Sequence, residues 1–364
     1  MNRIAALAAM GLAVAACAAQ PHRPRVDAFP LRFPLIEAGT LEVEGHVVGQ
    51  PRAQGDIVYF TTREGYLTAV VVPSRSVLWR FRTDNSLSSS LDLAGDFVLF
   101  HDDGGAIYGV VSPGRAILKK TLDEVVTTPV RIIEGGVVLG TAEGKVLISD
   151  PGGNNAAEYK LPGPEAKITA GPVPVYDRAG WLAVMLFGRS DGRLVAIGKK
   201  GKPAWEFQAG GAIQADPVQD GGRIYFGDSD RTFYCLDAGT GKVAWRRRLQ
   251  GSALHPAVIK GGTVAVAASN SVVYRLSRRG GSILSWEAIP SRIVYELGAA
   301  GPVVLVSSAS PTVMGLDLRS GRRAGQYEAS GPLVAGAVWS PPYVVLFAED
   351  VKSGRERLVF LRSR

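Results

Sequence analysis

Apolar runs of four to six residues, rich in Val, Ile, Tyr and Phe, recur along most of the chain and are separated by Gly, Asp, Asn and Ser. Runs of that length bounded by turn formers read as β-strands, and no 3.6-residue period persists long enough to specify an amphipathic helix. Arg223–Gly227, the turn Asp228–Asp230, Arg231–Asp237, the turn Ala238–Lys242 and Val243–Arg248 predict three antiparallel strands joined by two hairpins. The segment before them, Ala212–Val218, is expected to be a short fourth strand, innermost in the sheet.

The same unit is written along the chain with a spacing of 40 residues. A Gly-Gly or Gly-Asp pair leading into an apolar run stands at Gly55, Gly95, Gly135, Gly221 and Gly261, and Gly-Pro stands at Gly301. One more copy falls at Gly180–Met185, and an eighth at Pro341–Leu346. Helical arrays repeat at this length too, but the β-type runs inside each unit select an all-β, closed β-propeller. Eight four-stranded blades are expected, with seven as the alternative. The count gives eight inner trios but seven outer strands, because the chain stops soon after Leu358–Leu361. Leu35 to Glu44 precedes Gly55 at the offset by which Val77–Arg82 precedes Gly95. It is therefore expected to supply the missing strand and close the ring, which removes sheet edges that invite aggregation.

Asp237-Ala238-Gly239-Thr240-Gly241-Lys242-Val243-Ala244-Trp245 resembles the repeat of quinoprotein-like (PQQ-like) β-propellers, in which a Trp of the outermost strand packs against the next blade. Trp79, Trp205, Trp245 and Trp286 are placed at the matching position. Tyr159 substitutes for it, while Ala116–Lys120 and Ala324–Tyr327 depart from it. These aromatic residues are expected to be clamps between blades, since a binding site would not recur at one point of successive repeats.

The first sixteen residues combine a polar, basic start at Asn2 and Arg3, an apolar run from Ile4 to Val14, and the small Ala15 and Ala16. That pattern predicts a secretory signal peptide, its apolar run being well short of the ~20 residues of a membrane-spanning helix. Val14-Ala15-Ala16-Cys17 resembles the lipobox of bacterial lipoproteins, which implies lipidation of Cys17; Ala18 after it implies sorting to the outer membrane. Residues 17–34, with Pro21, Pro24, Pro30 and Pro34, are expected to form a disordered tether, and residues 35–364 a single propeller domain. Cys235 is then the only free thiol, so the fold must hold by core packing without an intrachain disulfide.

Chemical motifs are few. Gly188-Arg189-Ser190-Asp191-Gly192 matches the G-x-S-x-G string of serine hydrolases, but it aligns with the hairpin turn at Gly227–Arg231, where the helix of a nucleophile elbow has no place. Gly239–Lys242 lacks the first Gly of a phosphate loop. His22, His46, His101 and His255 are scattered, and Asp228 and Asp230 sit where Asp favours a turn through its own backbone hydrogen bonds. No catalytic, cofactor-binding or metal residue is assigned and no cofactor is expected. The adjacent Cys pair of many quinone-dependent dehydrogenases is missing from a chain with two Cys in all.

Charge adds one surface signal. Without Arg3 the chain carries 40 Lys and Arg against 33 Asp and Glu. The basic residues gather at Lys199-Lys200-Lys202, Arg246-Arg247-Arg248, Arg278-Arg279 and Arg319-Arg322-Arg323, the third turn and outer strand of successive units. They predict a positive sector suited to an acidic protein face, lipid head groups or cell-wall polymers. Nucleic acid does not fit an envelope location. A lipid-anchored propeller of this length resembles assembly factor B of the β-barrel assembly machinery. That resemblance implies a non-enzymatic scaffold on the periplasmic side of the outer membrane, with envelope proteins as partners. A periplasmic quinoprotein oxidoreductase and a binder of anionic surface polysaccharide are the other two readings.

Overall fold

The turn glycines explain how one short sequence signature sets a blade. Gly55, Gly95, Gly221, Gly261 and Gly301 all adopt φ between +55° and +62°, in the left-handed region that side-chain-bearing residues avoid. A Cβ at Gly55, Gly95, Gly261 or Gly301 would meet nothing within 4 Å, so backbone conformation and not space demands glycine there. Each of these turns joins the innermost strand of a sheet to its second strand.

The computed structural model describes residues 30–87, 91–133, 136–150, 154, 157–177, 179–198 and 201–364. In it, eight four-stranded antiparallel sheets are arranged as a β-propeller. Blades 1 to 7 follow chain order: Val47–Arg82, Asp92–Thr121, Arg131–Lys160, Ile168–Gln208, Val218–Arg248, Val258–Ala288 and Gly298–Glu328. Blade 8 combines Leu333–Glu349 and Glu356–Ser363 with Leu35–Glu42. Blades 2 to 5 make one compact unit, and blades 1, 6, 7 and 8 make a second.

Within each unit the blades pack face to face through their middle strands. In the first, Leu186, Leu194 and Ala196 of blade 4 meet Ile224, Phe226 and Leu236 of blade 5 in one buried cluster. In the second, Val58 and Phe60 of blade 1 meet Val345, Phe347 and Phe360 of blade 8, with the Phe60 and Phe347 rings edge to face at 5.4 Å. The second strands are buried nearly throughout, as in Ile57–Thr62 and Val303–Ser307, while most outer strands keep only every other residue inside. This is the burial expected of stacked sheets with a wet outer rim.

The innermost strand of blade 5 is Val218–Asp220, and the expected strand at Ala212–Val218 is corrected to a loop entering it. Pro217 offers no N–H to a sheet ladder, and the Asp216 carboxylate is committed elsewhere.

Leu35–Glu42 is the fourth strand of blade 8, antiparallel to Glu356–Ser363, with Leu35 opposite Ser363 and Leu41 opposite Leu358. The segment just before it, expected in the tether, packs too. Leu31 is buried, and the Phe33 ring lies where a Cβ on Gly315 or Gly325 of blade 7 would stand, 2.4 Å from its atoms. Gly325 stands beside the outer-strand bulge of blade 7 at the position that Trp245 takes at the bulge of blade 5, so the Phe33 side chain fills the slot left by the missing Trp. Composition around Pro30 and Pro34 concealed two hydrophobic anchors.

Trp79 and Trp245 are buried, and Trp205 is half-buried with its Nε1 donating to the Ala238 carbonyl of the next blade at 3.1 Å. Tyr159 does take the matching role, its ring standing against Gly201 of blade 4 as Trp205 stands against Gly241 of blade 5. The assignment of Trp286 to the same position is corrected. Trp245 pairs with Cys235, and the equivalent pair forty residues on is Arg275 with Ser285. Trp286 is one residue further along and therefore points to the opposite face, 63% exposed. Arg275 fills the clamp slot instead, its Nε donating to the Leu318 carbonyl at 2.7 Å and its Nη2 to that of Arg319 at 2.8 Å. Trp245→Ala should lower stability by about 3 to 5 kcal/mol, whereas Trp286→Ala should change it by less than about 0.5 kcal/mol. Urea denaturation of the two variants checks the contrast, and equal midpoints would contradict the register.

Candidate interaction surface

The innermost strands and the loops entering them carry half-buried charges that pair between blades. Arg131 opens the innermost strand of blade 3, and its guanidinium joins Asp92 of blade 2 at 3.2 Å to Asp216, at the entry to blade 5, at 3.0 Å. Each carboxylate takes a backbone donor as well: Ile132 N–H gives to Asp92 at 2.8 Å and Gly171 N–H of blade 4 to Asp216 at 2.7 Å. Burial works against the Arg131 charge, but the two acids more than offset it and hold its pKa above the ordinary value. In the second unit Arg52 of blade 1 pairs with Glu296 at 2.8 Å, spanning blade 8 as Arg131 spans blade 4. His255 lies near that pair. Its burial pushes the imidazole pKa down against the opposing field of Glu296, and its Nε2 is buried without a hydrogen-bond partner.

These groups tie blades together and leave no poised acid–base pair. Among the described residues no group of three or more His, Cys, Asp or Glu side chains could hold a metal ion. Asp92 and Asp216 are already engaged by arginine and backbone donors. The donor set among the described residues does not fit a quinone held beside a metal ion.

The motifs singled out in the sequence resolve into struts. Arg189 of the hydrolase-like string is 1% exposed and donates to the carbonyls of Pro162 and Pro164, while Ser190 and Asp191 lie on the turn between two strands of blade 4. Asp228 is a buried hub, accepting from Thr232 N–H at 2.8 Å, Gly210 N–H at 3.1 Å and the Tyr234 hydroxyl at 2.9 Å. Asp102 and Tyr108 repeat that arrangement in blade 2. Gly239–Lys242 is a hairpin turn capped by Asp237. Cys235 is buried in blade 5, and Cys17, Lys199 and Lys200 lie outside the described residues.

The remaining surface features are basic and apolar. Arg248 pairs with Asp230 at 3.5 Å, and Arg323 pairs with Glu287, so part of the expected positive charge is neutralised. Arg246 of blade 5 and, in the other unit, Arg279, Arg319 and Arg322 are exposed. Between blades 6 and 7 a groove of about 310 Å³ is lined by Lys260, Gly262, Arg275, Leu318 and Arg319, with no acidic residue on its walls. Beside it runs the outer strand of blade 6, Ile283–Ala288, with Ile283 43%, Leu284 46% and Trp286 63% exposed. Sequence reasoning missed this strand because Trp286 was assigned to the buried slot. A run of apolar residues with one charge, Glu287, was the available signal.

The family model for outer membrane protein assembly factor BamB matches residues 163–256 and 234–354, from the approach to blade 4 into blade 8. No curated protein matches the sequence. The solved structures that share the fold include three of similar extent. The computationally designed protein Ika8 is 17% identical at a TM-score of 0.74, covering 89% of this chain and 99% of its own. BamB from Moraxella catarrhalis is 17% identical at 0.72, covering 90% of this chain and 100% of its own. A europium-containing methanol dehydrogenase is 12% identical at 0.73, covering 90% and 93%. At these identities the likeness is one of fold, and that fold serves both an assembly factor and an enzyme.

Proposed function

Because this chain belongs to the family of outer membrane protein assembly factor BamB, we propose that it is a non-enzymatic envelope scaffold that binds outer-membrane assembly proteins and is held at the membrane by lipid on Cys17. The observation that carries this reading is the family match, which runs through more than half of the chain. The engagement of Asp92 and Asp216 by Arg131 accords with it, since those groups tie blades of one unit together and leave binding to the surface. Among the described residues no helix is long and apolar enough to cross a membrane, and a lipid anchor would supply the attachment.

The test is affinity purification of the full lipidated chain from detergent-solubilised envelopes. Co-purification of an outer-membrane β-barrel assembly protein is expected. Its absence, together with dye-linked oxidation of an alcohol after addition of quinone and calcium, would replace the scaffold with an oxidoreductase. The anchor is tested separately: Cys17→Ala should move the protein from the membrane pellet to the soluble fraction. A variant that stays in the pellet after a high-salt wash would refute lipidation as the attachment.

A further inference from the structure

Outer strands of a propeller are sheet edges, and edges in soluble proteins are usually guarded by charge. Here Arg80 and Arg82 guard blade 1, Lys119 and Lys120 blade 2, Arg246 to Arg248 blade 5, and Glu37 and Glu42 blade 8. Blade 6 differs in what its outer strand exposes: Ile283–Ala288, like Pro203–Gln208 of blade 4, has one charged residue, but it lacks the proline of that strand and leaves Ile283, Leu284 and Trp286 exposed. The Glu287 carboxylate is taken up by Arg323 of blade 7 at 2.5 Å. Ile283 and Trp286 pair with Leu276 and Tyr274, two positions apart on the neighbouring strand, so both stand on one face of the sheet at its edge. Large apolar side chains exposed together on an unguarded edge mark a surface that another chain covers.

The charge around this edge selects what covers it. Arg278 and Arg279 occupy the turn leading into Ile283, and Arg278 is tied to the adjoining turn by its N–H to the Gly262 carbonyl at 2.9 Å. Lys260 and Arg319 line the acid-free groove between blades 6 and 7 at the same end. From the strand and its flanking charge we infer that the outer strand of blade 6 receives an extended segment of another protein, apolar along its length and acidic at the end beside Arg278 and Arg279. The segment adds as a fifth strand. Main-chain hydrogen bonds hold it, aromatic or β-branched side chains pack across from Ile283 and Trp286, and its carboxylates meet the basic turn. The inference goes beyond the assembly role and stands on blades 6 and 7 alone.

The test uses three fluorescein-labelled decapeptides and the full chain in detergent, read by fluorescence anisotropy. All alternate Thr with Val or Tyr; one ends in three Asp, one in three Lys, and one has the Asp end with Pro at its centre. The acid-ended peptide is expected to bind at least tenfold more tightly than the Lys-ended one, and the Pro peptide to lose binding because it cannot complete the ladder. Ile283→Ser with Trp286→Ser should weaken the acid-ended peptide tenfold or more, while Arg279→Glu with Arg319→Glu should reverse the ranking of the two ends. All four side chains are exposed, so the denaturation midpoint should stay at the parent value and confirm that the variants fold. Unchanged binding by the Ser double variant would overturn the proposal, as would failure of the acid-ended peptide to bind the parent chain. A concentration-dependent dimer that the Ser variant abolishes and the peptide cannot compete away would assign the edge to a second copy of this chain and overturn it equally.

Discussion

A chain beginning at Val43 is expected to lose cooperative folding and to aggregate. Such a truncation removes Leu31, Phe33 and Leu35 from the cluster they share with Ala300, Val303 and Leu305 of blade 7 and Val344 and Leu361 of blade 8. At about 1.5 to 3 kcal/mol for each large apolar side chain, the loss approaches about 5 to 9 kcal/mol, comparable to the whole stability of an ordinary domain. It also bares the edge of Glu356–Ser363, whose residues Leu358 to Leu361 are all buried when Leu35–Glu42 covers them. Size-exclusion chromatography and a circular-dichroism melt of the truncated chain read both effects. A monomer with the parent melting curve would show that the strand is dispensable. Phe33→Ala gives the graded version, with an expected cost of about 3 kcal/mol from the ring alone.

Arg131→Met should be strongly destabilising, costing about 3 kcal/mol or more. The side chain is nearly isosteric, but it leaves the carboxylates of Asp92, on an innermost strand, and Asp216, in the loop entering another, without their shared counter-charge, and breaking a buried pair costs more than the intact pair contributes. Arg131→Lys should recover only part of the loss, because an ammonium cannot fork between Asp92 and Asp216 as the guanidinium does. The triple variant Arg131→Met, Asp92→Asn, Asp216→Asn should be more stable than Arg131→Met alone, since it removes the stranded charges. Denaturant midpoints for the three variants decide the matter, and a single Met variant as stable as the parent would mean that the cluster is wet and uncoupled.

What could be read in advance was what depends on near neighbours in the chain. The turn at Gly55 or Gly261 needs a left-handed residue wherever it occurs, so the forty-residue rhythm and the blade count follow from local pattern. The missing outer strand followed by counting, because a four-stranded blade has a definite complement. Errors arose where one residue of register or one distant partner decides. Trp286 differs from a clamp by a single position, which a strand converts into the opposite face. Phe33 looked like linker until the two glycines of blade 7 opened a place for it. Arg131 meets partners 39 and 85 positions away, and nothing in its own neighbourhood announces them. The exposed edge of blade 6 was present in the sequence as a strand poor in charge, and was passed over because its Trp had been given another role.

The strand that completes blade 8 also sets an order of events. Arg32 N–H donates to the Ser363 hydroxyl across 331 positions, so this N-terminal segment waits for a strand far along the chain before it has a partner. Seven blades are assembled from neighbouring hairpins, whose contacts are short in sequence and quick to form. The eighth is a long-range step that cannot begin until Glu356–Ser363 has been made. Through that interval the apolar N-terminal strand and the edge awaiting it are both open, and a chain of this kind depends on staying unpaired with its neighbours until its two ends meet.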